Sequence, residues 1–315
     1  MFAYVVRRLL ATIPVLVIVA LFVFMILHLT PGDPAAIIAG NDATAETIAR
    51  VRERLGLDTP IHVQFATWVQ RVVQGDLGGS IFTNIPVARL ILQRIEPTVS
   101  LTLTSIVVAV AIALPIGVVA AARAGSWVDY AAMTFAVLGF STPVFIIAYI
   151  LVSIFSVKLD WLPVQGFTSI GEGILPFLRS VALPSLALGM LTAALIARVT
   201  RASLLRVLGE DYIRTARAKG LSRAVVVGRH GLKNAAPPIV TVVGISVSAL
   251  LGGVIVTESV FNIPGIGRLV ADSVLQRDYP VVQGVTLLFS IVYVLVNLAV
   301  DLSYVLFDPR IRYAR

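Results

Sequence analysis

The chain has 315 residues, 58% of them hydrophobic and 13% charged, with a mean hydropathy of +0.94. That is far too apolar for an ordinary soluble domain. It contains no cysteine, which excludes disulfides and thiolate metal sites, and its net charge of +8 is placed in a way that argues against nucleic acid.

Six apolar runs divide the chain, at residues 9–29, 99–122, 130–157, 180–197, 234–257 and 279–300. A hydrocarbon core of roughly 30 Å needs about 20 helical residues, because lipid offers no partner to bare backbone amides. Five runs reach that length; the run at 180–197 is shorter and carries Pro184. The reading is therefore an all-α membrane protein with six transmembrane helices. The first run follows Arg7-Arg8, but it is long for a signal peptide and ends in Leu27-His28-Leu29-Thr30-Pro31, with no small-residue cleavage site. It is expected to stay as a helix.

Residues 30–97 form the one stretch with soluble-domain character. Pro31-Gly32-Asp33-Pro34 reads as a turn that stops the first helix. Thr44 reads as an N-cap, with Ile48, Val51 and Leu55 at helical spacing and Gly56 as the stop. Thr59-Pro60 reads as an N-cap followed by proline at the first helical position. Phe65, Trp68, Val69 and Val72 then give an apolar face that ends at Gly75. Both helices are amphipathic and must rest on something.

The next connections follow the same logic. Residues 158–179 are glycine-rich with Trp161, Pro163, Gly166 and Phe167, which suits an interfacial aromatic belt or contact with an external partner. In residues 198–236, the stretch 210–219 reads as helix and Gly220 as its stop. Ser222 then caps a short helix through Val225–Val227 to Gly228, and the chain returns to the membrane at Pro237-Pro238. A basic lipid anchor explains the charge of this segment, but an anchor needs no defined turn. Residues 258–278 read as a last loop, whose Gly265-Ile266-Gly267 is no nucleotide fingerprint because no strand precedes it.

With the N-terminus placed inside, 15 of the 25 Lys and Arg fall on inner segments and 12 of the 17 Asp and Glu on outer ones. That is the positive-inside pattern. Both termini are thus expected in the cytoplasm and residues 30–97 outside.

Several motifs carry a resemblance. Arg214-Thr215-Ala216-Arg217-Ala218-Lys219-Gly220, followed by Arg229-His230-Gly231-Leu232-Lys233-Asn234-Ala235, resembles the inner-loop signature of bacterial ABC importer permeases. Ala216 and Gly220 match the general pattern, while Arg214 and Thr215 replace its Glu and first Ala. That departure is usual in the dipeptide/oligopeptide/nickel branch. Arg7-Arg8-Leu9-Leu10, Arg54-Leu55-Gly56-Leu57-Asp58, Gly75-Asp76-Leu77-Gly78, Glu258-Ser259-Val260-Phe261, Pro264-Gly265-Ile266-Gly267 and Asp308-Pro309-Arg310-Ile311-Arg312 resemble further segments of that branch. The likeness covers nearly the whole chain and is to the first of two permease subunits.

The resemblance implies a type I ABC importer permease fold in a bacterial inner membrane. It implies a multi-pass heterodimer with a second permease subunit, two ABC ATPase subunits or one fused ATPase, and an extracytoplasmic substrate-binding protein. The division it implies is a first transmembrane helix at 1–29, an outer helical segment at 30–97, a transmembrane core at 98–306 and a tail at 307–315. Within the core lies a coupling loop at 198–236. Coupling to the ATPase would fall to Ala216, Lys219, Gly220, Leu221, Ser222, Arg223, Val225 and Val226. Trp161, Gln165, Phe167 and Gly171 are the expected contacts for the binding protein.

The chain itself is not expected to be an enzyme. It has no G-x-x-x-x-G-K-[ST] loop, no H-E-x-x-H, no G-x-S-x-G and only three scattered histidines. ATP and Mg are expected on the partner subunits, with no cofactor, catalytic residue or metal ligand here. Cargo is read as di- or oligopeptide, with nickel chelates, glutathione or haem-like compounds as alternatives. Polar span residues such as Thr102, Thr104, Thr192, Ser246 and Ser248 are expected to serve helix packing, so no cargo-binding residue is named. An ion-coupled secondary transporter would want buried midplane charges, and Asp301 near the end of the sixth run is the one candidate.

Overall fold

The computed structural model describes residues 2–29, 33–40 and 43–307. In chain order the helices are α1 (Phe2–Leu29), α2 (Pro34–Ala39), α3 (Ala45–Leu55), α4 (Ile61–Val73), α5 (Val87–Leu92), α6 (Ile95–Ala122) and α7 (Trp127–Ser141). There follow α8 (Val144–Leu151), α9 (Ile174–Leu208), α10 (Asp211–Ala218), α11 (Arg223–Val225), α12 (Lys233–Val260), α13 (Ile266–Gln276) and α14 (Tyr279–Phe307). Wide π-helical turns occupy Val152–Lys158 and Val226–Leu232. Among the described residues the only β pairing is one isolated bridge, Gly79 with Pro86.

Among the described residues, those up to 95 with 265–294 form one compact unit, and 96–264 with 295–307 another. In the first, Thr44 caps α3 by accepting from the Thr47 amide, and Gly56 ends it at φ +65°. Thr59-Pro60 behaves differently from the sequence expectation. The Thr59 hydroxyl donates back to the Gly56 carbonyl at 2.7 Å, so it is spent on the preceding turn and α4 begins one residue later, at Ile61.

The apolar face of α4 rests on α1. Phe65 and Trp68 lie 5.4 and 5.8 Å from the Phe24 ring, and His28 Nε2 is 3.0 Å from Gln64 Oε1. A second core joins Val87, Leu90 and Ile91 of α5 to Ile266 and Leu269 of α13 and to Val281 and Val285 of α14. The expected last loop thus contains a helix, α13. The buried Asp278 beyond it accepts from the Ser80 hydroxyl at 2.5 Å and the Ile81 amide at 3.2 Å.

The second unit is organised around α9, whose apolar stretch is largely buried. Small residues let α6 and α9 approach closely: Ala109 and Ala113 face Ala193, Ile196 and Ala197. The run read at 180–197 therefore belongs to a helix of 35 residues. Polar residues at its far end stopped the hydropathy run, but the backbone continues.

The run read as one span at 130–157 is instead bent by 104° between α7 and α8. Pro143 has no amide to continue the ladder, and the Thr142 hydroxyl bonds back to the Leu138 carbonyl at 2.8 Å. Among the described residues five helices are long and apolar enough to cross a membrane, or six with this bent pair.

Polar span residues mostly bond back to their own helix. Thr102 donates to Thr98, Thr192 to Gly189 and Ser246 to Val242 carbonyls. Thr104 also reaches the Ser185 hydroxyl at 2.6 Å. Glu258, which the sequence placed on a loop, lies fully buried in the last turn of α12 and accepts from the Thr98 hydroxyl at 2.6 Å. The turn at 30–32, the tail from Asp308 and the side chains of Arg7, Arg8 and Asp301 lie outside the described residues.

Candidate functional site

The basic segment after α9 is built as a small folded tip. α10 ends in a full left-handed cap: the Gly220 amide bonds the Arg217 carbonyl at 3.0 Å, and the Leu221 amide bonds Ala216 at 3.3 Å. That pairing satisfies two end carbonyls and needs φ > 0 at the residue after the cap, which Gly220 supplies at +78°. The chain reverses there. Ser222 stands before α11, and its carbonyl accepts from the Val226 amide at 3.0 Å; its side chain makes no capping bond.

The sequence expectation fails beyond this point. Gly228 ends nothing, because Arg223–Val260 runs as one helical rod through the π turn at Val226–Leu232, with Pro237-Pro238 inside it. The wide turn moves hydrogen bonding to i→i+5 without breaking the rod. It also lets Gly231 lie against α9, where an added Cβ would come within 2.8 Å of Leu204 Cδ1.

The tip has its own core. Ile213 and Val226 are fully covered, Ala216 nearly so, and Leu208 packs against them. Of the eight residues expected to couple, Ala216 and Val226 thus face inward and hold the tip together. Lys219, Gly220, Leu221, Ser222, Arg223 and Val225 are exposed, with Leu221 and Val225 as apolar points among basic neighbours. The Arg223 guanidinium also donates to the Ala122 carbonyl at the end of α6. Partial burial pushes the Tyr212 hydroxyl above its usual pKa, a hydrogen bond with Asn234 opposes this, and the Glu210 charge adds to the rise.

At the other end of α9, about 50 Å away by helical rise, residues 159–173 form the second candidate region. They contain little regular structure but are pinned throughout. The Gly166 amide bonds the Phe261 carbonyl at 2.9 Å, the Thr168 amide bonds Ser180 Oγ at 3.2 Å, and Ser169 Oγ donates to Glu96 at 2.5 Å. Phe167 meets Phe177 edge-on at 6.2 Å and packs on the main core. Trp161 is 63% exposed beside Phe155, and Gln165 and Gly171 face solvent.

Sequence reasoning missed the link that closes α7 onto α9. Asp129, 2% exposed, takes Arg201 Nε at 2.5 Å and Nη2 at 2.7 Å, and accepts from the Gly125 amide at 3.0 Å. A Ser-x-x-Asp start to α7 was the one available hint. Among the described residues no group of His, Asp and Glu could hold a metal ion.

Two family models match. Residues 113–313 fit the binding-protein-dependent transport system inner membrane component, and residues 1–102 fit the N-terminal part of the membrane component of the same systems. The chain belongs to this family of ABC importer permeases.

A probable peptide ABC transporter permease protein, y4tP, of Sinorhizobium fredii (strain NBRC 101917 / NGR234) is 51% identical over 310 residues, covering 98% of this chain and 99% of its own. The glutathione transport system permease protein GsiC of Escherichia coli (strain K12) is 49% identical over 313 residues, covering 99% of this chain and 100% of its own. Among solved structures, an inward-facing conformation of the MetNI methionine ABC transporter matches with a TM-score of 0.58 at 20% identity, covering 70% of this chain and 96% of that one. That match establishes the type I importer permease fold.

Proposed function

We propose that this permease forms half of a translocation path for di- or oligopeptides and that its exposed tip, Lys219 to Val225, seats against an ATPase subunit. The observation that carries the reading is the continuity of the tip. A segment with its own core, a locked reversal and an unbroken run into α12 can pass on a displacement that a loose loop would absorb. In this reading ATP and Mg are bound by two separate ATPase subunits or one fused ATPase, and a different permease chain supplies the other half of the path. An extracytoplasmic binding protein delivers cargo near the exposed Trp161, Gln165 and Gly171, while Phe167 holds the loop down. Both termini lie in the cytoplasm.

Glutathione is the second reading for cargo, supported by relatives of 49–50% identity that are named for its transport. Uptake of labelled dipeptide competed by excess unlabelled peptide or glutathione separates the two.

The native chain lacks cysteine, so a single cysteine reports cleanly. Leu221→Cys in the assembled importer should cross-link to an ATPase subunit, and exposed Gln74→Cys should react with impermeant reagent in intact cells. No cross-link from position 221, or external labelling of Lys219→Cys, would reject the docking site or the orientation.

A further inference from the structure

A groove of about 250 Å³ runs between α7 and α9 and has no role in the reading above. Met133, Ala136, Val137 and Phe140 line it from α7, and Ala194, Arg198 and Arg201 from α9. Both sets repeat at three- and four-residue steps, so each is one helical stripe facing the other. Asp129 meets Arg201 and, further along α7, Gly139 lies against the Met190 carbonyl of α9, so the helices run antiparallel, which places both arginines at the Met133 end and leaves the Phe140 end apolar. From Met133 to Phe140 the groove rises about 10 Å.

We propose that this groove binds an anionic phospholipid, with its phosphate on Arg198 and Arg201 and one acyl chain along the α7 stripe. The proposal is independent of cargo and of ATPase docking. Three observations converge on it.

Arg198 is exposed and has no ion-pair partner among the described residues. Arg201 gives Nε and one hydrogen of Nη2 to Asp129, which leaves Nη1 free to donate and holds the guanidinium in a fixed plane. Trp127 and Tyr130 at the start of α7 are 79% and 68% exposed, at the level where aromatic rings mark headgroups. The third observation is depth: Val137 and Phe140, each 54% exposed, continue the groove as bare apolar surface. Free phosphate would use the arginines but gives no account of the apolar length. A basic pocket between spanning helices on the cytoplasmic side is the setting in which anionic headgroups are held, and the orientation proposed above puts it there.

The test uses the complete importer complex, delipidated in detergent and titrated with phosphatidylglycerol or phosphatidylcholine under native mass spectrometry. Wild type should retain phosphatidylglycerol in preference to phosphatidylcholine. Arg198→Gln should weaken that retention about fivefold, the loss expected for one surface cation, and Arg198→Lys should restore most of it. Val137→Cys should react with an apolar maleimide in the delipidated complex and be protected by phosphatidylglycerol only. Equal retention of both lipids, unchanged affinity in Arg198→Gln or displacement of the lipid by millimolar inorganic phosphate would overturn the proposal. So would protection of the Val137→Cys thiol without any lipid, since a protein helix would then cover the groove.

Discussion

The tip after α9 and the loop before it are held by opposite means. The tip, from Asp211 to Leu232, is helical, carries the buried trio Ile213, Ala216 and Val226, and passes without a break into α12. The loop at 159–173 has one short 3-10 turn and is fixed by separate hydrogen bonds to Glu96, Ser180 and Phe261. A helix with its own core moves as one body, because changing its shape means opening close-packed contacts. A loop pinned at points can exchange one pin at a time, each a net contribution of only about 1 kcal/mol. The first arrangement suits transmission of a displacement, the second suits local adjustment to a visitor.

The comparison can be broken at graded cost. The largest effect is expected at the clasp that fixes α7 to α9. Asp129→Asn leaves Arg201 beside a neutral amide and should cost about 3 kcal/mol, the lower end for losing one partner of a buried pair. The measurement is thermal unfolding of the purified complex, where Arg201→Met with Asp129→Leu should recover much of the loss.

Next comes the core of the tip. Ile213→Ala should cost about 2 kcal/mol locally, the lower end for a buried Ile, through lost burial and the cavity left behind. Hydrogen exchange should then rise across residues 211–227 and stay unchanged at 159–173. If exchange rises equally in both regions, the tip is not a separate body.

Smaller again is the reversal. Gly220→Val places a β-branched side chain at φ +78° and should cost about 1–2 kcal/mol. The smallest effects belong to the loop. Ser169→Ala removes the donor to Glu96 and the cap acceptor of the Gly171 amide and should cost about 1 kcal/mol, raising exchange at the Ile170 and Gly171 amides and nowhere else in the loop. The exposed Arg214–Asp211 pair should be nearly neutral to removal.

Much of this was legible in the residues. Apolar runs located the spanning segments, Thr44 and Gly56 marked both ends of α3, and Gly220 marked the reversal, because each signal is local and tied to one backbone geometry. What stayed hidden depended on partners far along the chain. Nothing near Asp129 announces Arg201, 72 residues later, and nothing near Glu258 announces Thr98. The segment 130–157 read as one span because hydropathy counts length, and residue type alone does not set the size of the bend at Pro143. Gly228 read as a helix stop because residue type alone does not show that a π turn carries the helix through it. Phe167 read as an exposed aromatic because Phe177, which covers it, lies on the next helix.

The central claim is that the locked geometry of the tip, rather than its charge, carries ATPase closure into the membrane helices. The most direct measurement compares Gly220→Val with Arg223→Gln in the purified, reconstituted importer, scoring transport per ATP hydrolysed beside subunit assembly. The account predicts that Gly220→Val inserts and pairs with its partner permease but loses ATPase association or coupled transport, while Arg223→Gln retains most of both. Full coupled transport by Gly220→Val, with loss in Arg223→Gln, would contradict it and leave the segment as a basic lipid anchor.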